Sequence, residues 1–132
     1  MRANVTITKI FLQDDFDSFA ALSGDFNPIH VDPYYAANNR FGKTVAHGAL
    51  LVTILRGLTE QLIPGGNQIS HRIKFPAPTY AAQKIEFSVT IISQEKRRYR
   101  IALQVRTLKD GVVTCEGEAI IEDEKERYAD RR

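Results

Sequence analysis

Residues 48–63 place apolar side chains on almost every face of a helix: Ala49, Leu50, Leu51, Val52, Ile54, Leu55, Leu58, Leu62 and Ile63. A helix patterned this way has no solvent side of its own, so the rest of the chain must enclose it. After the stop signal Pro64-Gly65-Gly66, the sequence switches to a period of two in four runs. These are Ile69, His71, Ile73, Phe75; Ile85, Phe87, Val89, Ile91; Tyr99, Ile101, Leu103, Val105; and Val113, Cys115, Gly117, Ala119, Ile121. Such alternation gives strands with one apolar face, which is the enclosure the helix needs. Lys109-Asp110-Gly111 predicts a tight hairpin turn, and residues 93–98 predict another connection.

Upstream, residues 5–12 are rich in β-branched and aromatic types and read as a first strand. Phe16, Phe19 and Ala20 follow at helical spacing, behind aspartates suited to capping, with Gly24 as the stop. Asp32-Pro33 predicts the start of a short helix through residues 34–39. The sum is an α+β fold in which a curved antiparallel sheet wraps one long helix. With 132 residues, 43% of them hydrophobic, the expectation is a single domain over 1–132. One sheet layer leaves an edge and one side of the helix uncovered, so a homodimer or higher homo-oligomer is expected. The tail at 122–132 has no apolar period and is expected to be frayed or a short polar helix end.

A net charge of +2, from 18 basic and 16 acidic side chains, gives no field that favours nucleic acid or an anionic membrane, and neither is expected as a partner. The single cysteine, Cys115, excludes an internal disulfide and a cysteine-based zinc site; the expectation is a small core residue in a cytoplasmic protein. The broken apolar pattern at the N-terminus does not make a signal peptide, and the run at 45–55 is shorter than the roughly 20 residues that span a bilayer. Residues 95–100 gather four cations around Tyr99 on what reads as an exposed hairpin. Such a cluster is either solvated or set to meet phosphates or the acidic surface of an acyl carrier protein.

The chemistry concentrates between the first two helices, where Asp25, Asn27, Pro28 and His30 fall within a few positions. Pro28 fixes its own φ and pushes Asn27 toward an extended conformation, so the link between Asp25 and His30 is stiff. A carboxylate beside an imidazole can take a proton from water and give one to a neighbouring carbon. Gly48 opens the apolar helix, where free N–H groups and the positive end of the helix dipole suit a developing oxyanion.

Residues 22–36 (LSGDFNPIHVDPYYA) and 45–51 (VAHGALL) together resemble the MaoC-like hotdog family, of the R-specific enoyl-CoA hydratase type. The resemblance implies the hotdog fold and the interconversion of trans-2-enoyl and (R)-3-hydroxyacyl thioesters. Asp25 and His30 would be its catalytic pair, with the Gly48 N–H on the thioester oxygen. It implies no metal and no nicotinamide, since coenzyme A or phosphopantetheine enters as part of the substrate. Two other readings stay open: a hotdog thioesterase, and a non-catalytic subunit that binds acyl thioesters beside a competent partner.

The remaining polar residues have quieter expectations. Asn27 is expected to brace its loop, Asp32 to cap a helix, and His47 to hydrogen-bond and pack beside Gly48. His71 is expected either in the core or lining the cleft. His30, His47 and His71 lack helical metal spacing, so no metal site is expected. Arg56 departs from the family, whose hydratases commonly carry a small hydroxyl residue near this point. It is expected either to pair with Glu60 at i,i+4 or to reach the site or acyl tunnel and alter chain-length preference. The family's usual Gly-Asp after the proline strand is replaced by Ala81-Ala82-Gln83.

Overall fold

The computed structural model describes residues 3–124. Its elements run β1 (Asn4–Ile10), α1 (Gln13–Ser23), α2 (Pro28–Val31), α3 (Pro33–Ala37) and α4 (Gly48–Leu62). The second half is all strand: β2 (Asn67–Lys74), β3 (Lys84–Glu95), β4 (Arg98–Thr107) and β5 (Val113–Glu122). The strands form one antiparallel sheet in the order β1-β3-β4-β5-β2, and α4 packs on it in the hotdog arrangement. Leu51, Leu55, Leu58 and Leu62 from the helix join Phe87, Val89, Ile101, Val105 and Ala119 from the sheet in one core. Each such fully buried side chain contributes roughly 1.5–3 kcal/mol, so truncating Leu55, which is 1% exposed, would cost about 2–5 kcal/mol.

Enclosure of α4 is incomplete within one chain. Ala49, Thr53, Gly57, Glu60 and Gln61 are exposed, and Val52 is half-buried. Beside them runs β2, an edge strand on which Ile69 is also exposed, as is Phe75 just past its end. A bulge at Ile69 breaks the alternation that the sequence predicts for this strand, and His71 is exposed rather than in the core, 3.0 Å from Gln68.

The β3–β4 connection is shorter than predicted. A bulge between Ile91 and Ser93 shifts the phase of β3 and carries it to Glu95, leaving only Lys96 and Arg97 in the turn. The cation cluster at 95–100 is therefore mostly strand. Arg98 pairs with Glu122 and Arg100 with Glu118; Arg106–Glu86 and Lys74–Glu116 extend the set across the sheet, all at 2.8–3.1 Å. The predicted tail also begins as structure: Asp123 is buried, with its N–H on the Arg97 carbonyl. The rest of that prediction, at 125–132, lies outside the described residues.

Candidate active site

Helix α1 ends at Gly24, whose φ of +82° is the left-handed conformation a glycine takes without strain. The chain then closes a series of short turns. Asp25 Oδ1 accepts from the Asn27 N–H, and Asn27 Oδ1 accepts from the Ile29 N–H, capping the single helical turn of α2 with Pro28 in its first position. Asp32 ends that turn and caps the next, its Oδ1 accepting from the Tyr34 and Tyr35 N–H groups. His30 thus stands on a helical turn fixed at both ends, where the sequence suggested only a stiff link.

His30 is 8% exposed, and its Nδ1 lies 2.7 Å from the Val45 carbonyl. A carbonyl only accepts, so Nδ1 carries the proton and Nε2 keeps its lone pair. The backbone answers in the other direction, with the Val45 N–H donating to the Ile29 carbonyl. Gln13 adds a third tie, since its side-chain N–H donates to the His30 carbonyl while its Oε1 accepts from the Thr44 hydroxyl. Burial pushes the His30 pKa below its ordinary 6.5. The Val45 hydrogen bond opposes that shift, His47 reinforces it and Asp25 opposes it again.

Nε2 of His30 faces Oδ2 of Asp25 at 3.9 Å, and the Asp25 side chain is about half exposed. That separation is too long for a direct hydrogen bond. One water oxygen about 2.8 Å from each atom would fit between them at an angle of about 90°.

His47, 2% exposed, precedes α4 and holds this arrangement from below. Its Nε2 donates to the Asp25 carbonyl at 3.0 Å, its ring stacks on His30 with centroids 3.8 Å apart, and Phe19 meets it edge-on at 5.0 Å. Asp25, His30 and His47 present ligand atoms within 4.8 Å of one another, the spacing of a metal site. Ring-on-ring stacking at an interplanar angle of 23° works against that use, because in-plane lone pairs of two parallel imidazoles run side by side instead of converging on one ion.

Gly48 is the first residue of α4, and no side chain caps that helix end. A Cβ here would lie 2.7 Å from the Phe75 ring, so the glycine lets Phe75 close over the helix start. His30, Gly48 and Leu51 share a cavity of about 710 Å³ with Phe75, Thr79 and Thr114. Ala46 N–H donates to the Thr79 carbonyl, and Val45 pairs with Tyr80, which fastens the 75–80 segment to the start of α4.

Other predicted residues lie elsewhere. Arg56 does not pair with Glu60: its guanidinium donates to the Thr59 hydroxyl and the Gly66 carbonyl, while Glu60 accepts from the Gly65 N–H. The buried Thr59 hydroxyl draws the cation along the helix toward its C-terminal end, away from Gly48 at the opposite end. Cys115 is buried, and burial together with Glu116 pushes its thiol up to about 11, which leaves little thiolate to react. Ala82, in the stretch that departs from the family pattern, takes a left-handed φ of 64°, and Gln83 accepts from the Tyr80 N–H.

Two cations near the cavity gave no signal in the sequence. Arg40 lines the wall with its guanidinium over the Phe41 ring, and Lys43 lies over the ring of Tyr80, another wall residue. Only the fold shows that these loop residues border the space His30 occupies.

Comparison with known proteins places the chain. The chain is 32% identical over 119 residues to an (R)-specific enoyl-CoA hydratase of Aeromonas caviae, covering 87% of this chain and 88% of that protein. It is 31% identical over 128 residues to a 3-hydroxybutyryl-CoA dehydratase of Methylorubrum extorquens, covering 94% and 80%. Among solved structures, the unliganded R-hydratase PhaJ1 from Pseudomonas aeruginosa superposes with a TM-score of 0.83 at 28% identity, covering 92% of this chain and 81% of that one. The family model of the MaoC like domain matches residues 1–113, and the chain belongs to that family.

Proposed function

We propose that the chain is a hydratase and dehydratase interconverting trans-2-enoyl thioesters and (R)-3-hydroxyacyl thioesters, carried on coenzyme A or an acyl carrier protein, in fatty acid metabolism. The relatives named above support the reaction class and its stereochemistry. The observation that carries the reading here is the free Nε2 of His30 facing the Asp25 carboxylate across the width of a water molecule, in a wall shared with the start of α4.

Hydration then proceeds from groups in place. Water held by Asp25 and His30 adds at C3 of the enoyl thioester as the pair takes up its proton. The imidazolium form of His30 is steadied by the nearby carboxylate. Negative charge moves to the thioester oxygen, where the Gly48 N–H and the helix dipole stabilise it; one such donor is worth roughly 3 kcal/mol in comparable sites. The pair returns a proton to C2, and dehydration is the reverse. Asn27, Asp32 and His47 position the pair, and the reaction uses no cofactor beyond the substrate's own carrier.

The working unit in this proposal is a homodimer of single-domain chains. Supporting it are the exposed Ile69 of edge strand β2 and Phe75 just past the strand's end, beside the open face of α4. Among the described residues no helix is long and apolar enough to cross a membrane, and the buried free thiol of Cys115 suits the cytoplasm. Arg40 and Lys43 suit the phosphates of either carrier.

Loss of enoyl absorbance on adding crotonyl-CoA tests the reading directly. Asp25→Asn and His30→Ala should each lower kcat by about 10²–10⁴-fold. Saturated butyryl-CoA should release no thiol, which separates this activity from a thioesterase. Variants as active as the parent would remove the pair from the mechanism.

A further inference from the structure

Strand β5 opposes β4 with one residue too many: Val105 pairs with Cys115 and Arg106 with Val113, leaving Thr114 as a bulge. The alternation in the sequence points Val113 inward, but the extra residue turns Thr114 in as well. Thr114 is 1% exposed while Val113 is only half-buried. Bulges of this kind re-aim a side chain at the rim of a site. Here the side chain joins the wall of the cavity that His30 and Gly48 share, and its hydroxyl has no hydrogen-bond partner among the described residues. Thr79 repeats the pattern on the 75–80 segment: it is 2% exposed, lines the same cavity, and its hydroxyl is also unpartnered.

A buried hydroxyl without a partner costs about 1–3 kcal/mol, and an alkyl chain offers it nothing. Two of them in one wall call for a ligand group that both donates and accepts. On an acyl thioester the reacting end is already served by His30 and Gly48. Beyond that end, the nearest groups that offer both a donor and an acceptor are the amides of the carrier arm. Resting on the hydratase reading above, we propose that Thr114 and Thr79 form a polar subsite that hydrogen-bonds an amide of the pantetheine arm. They are binding residues that anchor the carrier arm beside the catalytic pair.

The test compares Thr114→Val, Thr79→Val and Thr114→Ser with the parent protein. It reads binding of unreactive butyryl-CoA and of butyryl ethyl thioester, which lacks the amides, along with kcat and KM for crotonyl-CoA. The valine variants keep the shape and β-branching of threonine, and thermal unfolding confirms that they fold. Thr114→Val should weaken butyryl-CoA binding about tenfold and raise KM in parallel, with kcat within about twofold. Thr114→Ser should retain parental affinity, and binding of the ethyl thioester should not change. Parental affinity in both valine variants overturns the subsite while leaving the hydratase reading intact. Equal loss on both ligands also overturns it, since the hydroxyls would then shape the cavity instead of meeting an amide. A parent that neither binds butyryl-CoA nor hydrates crotonyl-CoA overturns both proposals.

Discussion

His30 and His47 stack ring on ring at 3.8 Å yet commit their protons to different carbonyls, His30 Nδ1 to Val45 and His47 Nε2 to Asp25. One imidazole is thereby left with a free lone pair facing the Asp25 carboxylate, and the other fixes the backbone that presents that carboxylate. The pairing ties the chemistry of α2 to the start of α4.

Because burial lowers the His30 pKa, the acid limb of kcat/KM should have its midpoint below pH 6.5. His47 contributes to that lowering, so His47→Gln should move the midpoint upward. Stability follows the same proton. The unfolded chain takes it up first, so the buried neutral ring contributes fully above pH 6.5 and loses its contribution as pH falls through the folded value. A pH–rate profile with the midpoint of the parent above 6.5 would contradict this assignment.

His47→Ala removes the stack, the Phe19 contact and the hydrogen bond to the Asp25 carbonyl together. A loss of about 2–4 kcal/mol in urea unfolding is expected, accompanied by a fall in kcat as Asp25 loses its anchor. His47→Gln keeps a donor of similar reach and should recover part of both. Equal stability of His47→Ala and the parent would show that the ring is not structural.

Gly48→Ala drives a methyl group into the Phe75 ring. Since Phe75 is about half exposed, it can swing aside, so the cost should fall more on catalysis than on folding: a drop in kcat/KM of about tenfold or more. Adding Phe75→Leu should restore part of it. The two changes should therefore couple, by about 0.5–3 kcal/mol in a double-mutant cycle on kcat/KM. Strict additivity would mean that the ring and the helix start act independently.

Ile69→Lys places a charge at the bulge of edge strand β2, where the proposed homodimer would pack. Sedimentation should then report a monomer at concentrations at which the parent is dimeric. A variant that sediments as the parent does would move the interface to another surface.

Much of this structure is legible in the sequence where a residue has a strong local rule. Gly24 ends α1, Asp32-Pro33 starts α3, and the apolar run becomes α4 within a residue of its predicted end, whereas α2, opened by Asn27 and Pro28, reads in the sequence only as a stiff link. The proximity of Asp25 and His30 follows from those turns. Legibility fails at the bulges. One inserted residue reverses every later side chain of a strand, so β3 outruns its predicted end and Thr114 lies hidden in a sequence that assigns it to the outer face. Long-range partners fail for a different reason. Arg56 had Glu60 one turn away, but a buried hydroxyl and the carbonyl of Gly66 outweigh a surface ion pair worth only a few tenths of a kcal/mol.

The Arg–Glu and Lys–Glu rungs across the outer face of the sheet have a consequence for how substrate arrives. Their charges cancel in place, so these rungs offer little attraction to passing anions. Arg40 and Lys43 lie on aromatic rings beside the cavity instead, so the attraction felt by a phosphate-bearing molecule is concentrated at the doorway. Added salt should accordingly slow capture far more than it loosens the fold, since the rungs contribute little to stability.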